Sequence, residues 1–466
     1  MLFNSHEFLF AFLPVVLVGW WALRRPTARL AWLALASWFF YAWWDWRFVP
    51  LMIGSTTVDY IAGQAIASAT DERRRKLVLV AAMTINLGVL GFFKYAGFFL
   101  DSLNGIGGAL GADPHLHVLH VVLPIGISFY TFNSMSYTID VFRRRVQPAA
   151  HPIHYAAFVA LFPHLIAGPI VRYADIEDQL RRLQPRLTSS YAASGAWFFC
   201  CGLAKKLILA DTLAPHVGTL FGHHGSLGLV TGWSAALSYA LQLYFDFSGY
   251  SDMAVGLAFL LGFRFPQNFD SPYKAQNISD FWRRWHMSLS FWLRDYLFIP
   301  LGGSRQGRVR TLRNLVVTMF LGGLWHGAAW TFVVWGLLHG AMLVVHSVLK
   351  SAGLTPRSIA LNRAVTFAAV AAAFVVFRAP NLHVAGDVLG AMAGLNGLGS
   401  LASVHRLVGY PTLALVAALL AFVNLAPNTW EVQVRPRLRY GLALGLTLAA
   451  SVLLIANPSP FLYFQF

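Results

Sequence analysis

The sequence predicts an all-α polytopic membrane protein, and three observations carry that prediction. Of 466 residues, 57% are hydrophobic and only 12% charged, about half the charged share of an ordinary soluble domain. The mean hydropathy is +0.57. Apolar runs near the roughly 20 residues that a spanning helix needs recur along the chain, and Lys and Arg gather in the short loops between them. No repeat, low-complexity tract or proline-rich linker divides the chain. A single membrane-embedded domain over residues 1–466 is therefore expected.

The first apolar run, 7–23, is followed by basic residues instead of preceded by them, and no small-residue cleavage site follows. It is expected to be a retained span and not a removed signal peptide. Further runs lie at 30–44, 48–68, 77–100, 117–141, 192–213, 231–261, 364–377, 411–425 and 440–456. The basic loops order them: "RRPTAR" from Arg24, "DERRRK" from Asp71, "FRRR" from Phe142 and "RPRLR" from Arg435 should face the cytoplasm. Residues 101–115 contain no Lys or Arg and should lie outside, which also places the N-terminus outside. Outer loops are expected there and at 215–227 and 381–409, short and mostly small or apolar. The net charge of +16, from 35 Lys+Arg against 19 Asp+Glu, follows from this loop bias and does not indicate a nucleic-acid surface. Cys200 and Cys201, the only two cysteines, are adjacent inside an apolar run. Neighbours rarely pair, so they are read as small core hydrophobes.

Two segments break the alternation. Residues 153–171 are apolar but basic at both flanks, and contain Pro163 and the pair Gly168-Pro169. That pattern predicts a re-entrant hairpin, whose irregular backbone is tolerated at depth only when buried in protein or lining a cavity. Residues 315–349 follow Arg305, Arg308, Arg310 and Arg313 and precede Lys350, Arg357 and Arg363, and are long enough to go out and back. Between them, "SDFWRRWHMSLSFWLRDYLFI" (279–299) places Phe281, Trp285, Leu289 and Trp292 at helical spacing, with Arg283, Arg284, Arg294 and Asp295 elsewhere on the wheel. An amphipathic helix at the cytoplasmic interface is expected, with Ser279 or Asp280 as N-cap.

Ionisable groups inside a membrane are costly and point to function by default. His326, in "LGGLWHGAAWTFVVWGLLHG" (321–340), is the strongest candidate. It lies thirteen residues past Arg313, about 20 Å along a helix, among glycines that allow a ligand or a neighbouring helix to come close. A neutral imidazole suits general base work; a buried histidine bonded to a carbonyl is the structural alternative. His286, on the amphipathic segment, is the second candidate, with an interfacial histidine facing headgroups as its alternative. His339 reads as a structural hydrogen-bonder. No His-x-x-x-His or carboxylate-histidine spacing supports a metal site, and "FGHHG" (221–225) falls in an outer loop. "QLYFDFSGYSDMAVG" (242–256) puts Asp246 and Asp252 into an apolar run. Both must pair or be neutral, with Arg283, Arg284, Lys205 or Lys206 as possible partners. A structural ion pair and a substrate contact are both open.

Five blocks then meet a family: "PIGISFYTFNSMSYTIDVFR", "LFPHLIAGPIVRY", "LQLYFDFSGYSDMAVGLAFLLGFRFPQNFDSPY", "ISDFWRRWHMSLSFWLRDYLFIPLGG" and "LGGLWHGAAWTFVVWGLLHG". Together they resemble the membrane-bound O-acyltransferases, and within these the bacterial branch that acetylates cell-surface polysaccharides. The resemblance implies about 10–12 membrane segments, with re-entrant hairpins and cytoplasmic amphipathic helices around a central tunnel and core motifs over 120–350. It implies transfer of an acetyl group from cytoplasmic acetyl-CoA, a substrate and not a bound cofactor, to an extracytoplasmic glycan such as alginate. It also implies His326 as catalytic base with His286 beside it. The basic shell of Arg283, Arg284, Arg294 and Arg305 is a candidate holder of the CoA phosphates, with the positive-inside bias as its alternative, and Asp246 and Trp325 are candidate substrate contacts. A periplasmic SGNH-like acetyltransferase or glycan-presenting protein is the expected partner, and the bacterial inner membrane the expected location. His164 departs from the pattern, where glutamine is expected in many relatives. Two alternatives remain: D-alanine transfer to cell-wall polymers and, from another class, a transporter. The blocks "DFSGYSDMAVGLAFLLGF" and "PLGGSR" favour acetylation.

Overall fold

The computed structural model describes residues 1–112, 116–118, 121–183, 187–432, 437–455 and 461–462. Among these the secondary structure is helical and contains no strand. Four helical stretches are long and apolar enough to cross a bilayer: Glu72–Ala109, Ser189–Gly222, Trp330–Ser351 and Ile359–Arg378. Glu7–Ala22, Leu382–Met392, Tyr410–Leu425 and Leu438–Leu453 are shorter apolar helices. Large apolar side chains stand exposed on the outer faces, Leu77, Val80 and Val365 among them, as a chain solvated by lipid requires. The chain folds as a polytopic, all-helical membrane protein. It forms two compact units, one of residues 1–199, 253–266 and 455–460, the other of 200–252, 267–454 and 461–466.

In the first unit the breaks between helices follow local chemistry. Pro26 opens Pro26–Asp45, where its missing N–H is no loss. Asp71 caps Glu72–Leu90, its carboxylate accepting from the Arg73 and Arg74 N–H groups. Arg75 turns inward and donates to the Phe142 carbonyl at 2.6 Å and the Ile66 carbonyl at 3.2 Å. One arginine of a basic loop thus ties helix ends together. The proline and glycines of 153–171 do break the helix: Pro152–Ala160 stops, Phe162–Leu165 makes one turn, and every residue from 161 to 171 is buried. This irregular stretch meets the condition for such backbone at depth. The expected outer loop at 101–115 is a correction. Ala96–Ala109 is helical, because nothing before Gly111, which takes a positive φ, ends it. His115 lies outside the described residues.

In the second unit, residues 315–349 form the expected out-and-back pair. Arg308–His326 and Trp330–Ser351 are antiparallel neighbours joined by a three-residue turn. Glycine makes the pairing close. A Cβ on Gly323 would strike the Phe332 carbonyl oxygen, and one on Gly336 the Met319 carbonyl oxygen. Gly323 and Gly327 beside His326 therefore serve the neighbouring helix. Residues 279–299 do not form one helix, which corrects the sequence reading. Ile278–Arg284 and Met287–Leu293 are separate, followed by a wide π-turn at Arg294–Phe298. The break falls at His286, whose φ of 44° is left-handed, a region non-glycine residues seldom enter. Phe281, Trp285, Leu289 and Trp292 are buried against protein, so the segment does not simply lie on a lipid interface. Its N-cap is Asn277, whose side chain accepts from the Asp280 N–H at 2.9 Å, and not Ser279 or Asp280.

The two other expected outer loops are also largely helical. Pro215 sits inside Asp211–Gly222, and 381–409 contains Leu382–Met392 and Leu401–Leu407. Asn381 and Ser400 supply the caps, accepting from the Val384 and Ser403 N–H groups. Val384, Ala385 and Val388 bury one face of Leu382–Met392. Composition flagged these stretches as loops because they are rich in small residues, which helices accept equally well once packed. Arg435 of the expected basic loops lies outside the described residues.

Candidate active site

The second unit gathers the two candidate histidines. His326 is the last residue of Arg308–His326, and Gly327 ends the helix in an extended conformation. His326 is 5% exposed and His286 not at all. Their ring centroids are 6.3 Å apart. Trp325 completes the group, 6.1 Å from His286 and 5.1 Å from His326. Trp335 and Phe377 pack edge-on against His326 at 5.1 and 5.3 Å.

Asn268 fixes the state of His286. Its Oδ1 accepts from the backbone N–H of Ser288 at 3.2 Å and from the Ser288 hydroxyl at 2.8 Å. A backbone N–H can only donate, so the amide orientation is set. The His286 Nδ1, 3.2 Å from the same oxygen, must then carry the proton and donate. Nε2 is left with its lone pair. It is buried and has no hydrogen-bond partner among the described residues. Asn268 is held in turn, its Nδ2 donating to Ser251 Oγ at 3.0 Å and its carbonyl accepting from the Met287 N–H. His286 is therefore poised as a proton acceptor.

His339 has the structural role expected of it. The Trp282 indole N–H donates to its Nδ1 at 3.2 Å, and its ring lies 4.6 Å from Trp335. It braces the wall of His326. His164, in the first unit, is fully buried and structural as well. Its Nε2 donates to the Phe158 carbonyl at 3.1 Å and its Nδ1 accepts from Asn133 at 3.2 Å.

His326 opens on a cavity of about 20 Å³ lined also by Leu243, Asp246, Phe247, Trp285, Trp335, Phe374, Phe377 and Leu462. That is room for one water or one hydroxyl group. Asp246 brings a carboxylate to it, but as half of an ion pair. Lys206 Nζ lies 2.8 Å from Asp246 and 2.8 Å from Asp211, and the Leu462 N–H donates to the other Asp246 oxygen at 3.0 Å. Asp252 pairs with Lys205 at 2.6 Å and accepts from Thr429 Oγ1 at 2.8 Å. The partners are thus the lysines, and Arg283 and Arg284 are not. The reason is the wide π-turn at Lys205–Ala210, which delivers two consecutive lysines to two carboxylates on one long helix.

None of Arg283, Arg284, Arg294 and Arg305 lines this cavity. Arg284 pairs with Asp280 at 3.0 Å and Asp270 at 3.5 Å, and Arg294 with Asp295 at 2.7 Å. Arg283 faces a different groove.

Residues 128–383, more than half of the chain, match the model for MBOAT, the membrane-bound O-acyltransferase family. The chain belongs to that family. It is 44% identical to the probable alginate O-acetylase AlgI of Pseudomonas putida, over the whole of both chains. It is 40% identical to the peptidoglycan O-acetyltransferase of Helicobacter pylori, over 85% of this chain and 81% of the other. The teichoic acid D-alanyltransferase of Bacillus subtilis is more distant, at 27% over 56% of this chain and 68% of its own.

As a membrane-bound O-acyltransferase the protein is an acyl-transfer enzyme, and the transporter alternative falls away. A buried imidazole, His326, on a hydroxyl-sized cavity, with a second imidazole 6.3 Å behind it, suits that chemistry. Sequence reasoning missed Asn268, which sits eighteen residues before His286 at no recognisable spacing, and the aromatic wall of Trp335, Phe374 and Phe377. The only signal for Asn268 was its place inside the quoted block "FPQNFDSPY".

Proposed function

We propose that this O-acyltransferase moves an acetyl group from cytoplasmic acetyl-CoA to an extracytoplasmic polysaccharide, of which alginate is the first candidate, across the bacterial inner membrane. The observation that carries the reading is His326 on a cavity sized for one hydroxyl, with the His286 ring 6.3 Å from its own. The relatives named for O-acetylation match at 40% or more over most of the chain, which favours acetyl over D-alanyl transfer.

His326 takes the proton of the acceptor hydroxyl as that oxygen attacks the thioester carbonyl. The C–S bond breaks as the tetrahedral oxyanion collapses, and the leaving thiolate takes the proton back. His286, with Nε2 free to accept, backs the first step. The aromatic wall of Trp285, Trp335, Phe374 and Phe377 excludes water that would hydrolyse the thioester. Trp325 holds the two rings in place. Asp246 acts through Lys206 and Leu462 to shape the cavity. Arg284 and Arg294 are occupied by carboxylates, so neither is a ready phosphate contact for the donor.

An extracytoplasmic SGNH-like acetyltransferase or glycan-presenting protein receives the acetyl group or guides the polymer. With purified protein, acetyl-CoA and glycan alone, polymer acetylation should be negligible; efficient acetylation would remove the partner from the scheme. The central test is His326→Ala in vesicles supplied with labelled acetyl-CoA. Label transfer should vanish while insertion and expression stay normal. Transfer retained in a well-expressed variant overturns the assignment.

A further inference from the structure

Away from the histidines, the second unit has a groove of about 900 Å³ between Trp330–Ser351 and Ile359–Arg378, closed at one end by Ile278–Arg284. This is the upper range of small-molecule sites. Its long walls are apolar: Leu338, Val345 and Leu349 on one helix, Leu361 and Val365 on the other. These side chains are also exposed, Val345 by 54% and Val365 by 59%. Both helices are long and apolar enough to cross a bilayer, so the groove opens to lipid and not to water.

One end of the groove is cationic. Arg283, His346 and Lys350 line it, and His346 lies in the field of both of the others. No Asp or Glu is among the lining residues. Among the described residues neither Arg283 nor Lys350 has an acidic partner, unlike Arg284 and Arg294 nearby. Lys350 and Leu338 are twelve residues apart on one helix, about 18 Å, close to the roughly 15 Å depth of one leaflet's hydrocarbon. A cationic end and an apolar channel one leaflet long match a phosphate headgroup with its acyl chains.

We propose that this groove binds one anionic phospholipid, its phosphate between Arg283 and Lys350 and an acyl chain along Leu349, Val345 and Leu338. The site is independent of the acetyl-transfer reading. It moves Arg283 from the donor's phosphates to a lipid's.

The test uses the full chain in phosphatidylcholine nanodiscs with chain-spin-labelled phosphatidylglycerol, reading the immobilised lipid fraction. The wild type should prefer phosphatidylglycerol over labelled phosphatidylcholine by roughly thirtyfold, the factor given by two cations near a lipid surface. Lys350→Gln should cut that preference about fivefold, and Arg283→Gln with Lys350→Gln should abolish it. Val365→Trp should lower binding with every charge kept, because it fills the channel. Tryptophan fluorescence of each variant confirms its fold, and the single variants carry the test if the double one does not fold. No preference in the wild type, or an undiminished preference in Lys350→Gln together with undiminished binding in Val365→Trp, overturns the proposal. Displacement of the bound lipid by coenzyme A also overturns it and gives the groove to the acyl donor.

Discussion

Replacing Asn268 by alanine removes one oxygen that serves three donors: His286 Nδ1–H, the Ser288 N–H and the Ser288 hydroxyl. The hydroxyl can turn elsewhere. The two N–H groups cannot, and each buried donor left unmet costs about 1–3 kcal/mol. The expected loss of stability is therefore about 2–6 kcal/mol. The effect on chemistry is separable. Without the oxygen nothing selects the Nδ1–H tautomer or holds the ring. One hydrogen bond of about 1 kcal/mol is worth about fivefold, and complete loss of a positioned acid-base group about a hundredfold or more. Turnover should fall between about fivefold and a hundredfold, with KM little changed. Asn268→Asp gives the sharper reading. A carboxylate still accepts from all three donors, but it also stabilises the protonated ring. Because the neutral ring is the active form, the acid limb of the rate profile should move to higher pH. The assay is transfer of labelled acetyl from acetyl-CoA in reconstituted vesicles between about pH 5 and 9, with thermal unfolding in parallel. Full turnover in a folded Asn268→Ala variant, with an unmoved pH profile in Asn268→Asp, refutes the positioning role.

Three further predictions follow from the same unit and from the loop charges. Asp246→Ala takes one of two carboxylates from a Lys206 that is 2% exposed and leaves it Asp211, so the loss should approach, but stay below, the roughly 3–5 kcal/mol for breaking a buried pair; a melting curve measures it, and an unchanged midpoint contradicts the pairing. Gly323→Leu and Gly336→Leu should each abolish folded expression, whereas Gly322→Ala, which meets only the Leu293 side chain, should be tolerated; fluorescence-detected size exclusion separates them. Single cysteines at Arg73, Arg144 and Arg357 should be labelled from the cytoplasm and one at Ala112 from outside, and the reverse pattern at any of them breaks the topology.

Much of this architecture was legible because lipid imposes simple rules. Apolar length and basic flanks disclosed the His326 hairpin and the broken stretch at 161–171, since both follow from satisfying backbone groups away from water. The site was half legible. A histidine deep in an apolar run is conspicuous, so His326 stood out, and His286 followed as the histidine on the amphipathic segment before it. What escaped was set by backbone detail that carries no periodic signal. The left-handed turn at His286 splits what helical spacing reads as one helix. The π-turn at Lys205–Ala210 sends lysines, and not arginines, to Asp246 and Asp252. Asn268 gave no warning because a lone asparagine in an extended segment looks like any loop residue. The helix at 382–392 was missed for the opposite reason: small residues favour loops only when nothing packs against them, and here Val384, Ala385 and Val388 are buried.

The glycine crossing between Arg308–His326 and Trp330–Ser351 has a consequence for how this enzyme can vary. Main chain touches main chain at Gly323 and Gly336, three residues before the His326 imidazole. The position of the ring along the helix is therefore set by counting along a backbone, before the side chains around it orient it. Lipid-facing residues on both arms can be exchanged for other apolar ones without moving it. A one-residue insertion between Gly323 and His326 cannot be absorbed in this way. It would swing the ring by about 100° and advance it by about 1.5 Å, carrying it away from His286 although every original side chain is still present. On the lipid-facing sides of these two arms apolar substitutions are the forgiving kind of change, and changes of length within that single helical turn are the fatal kind.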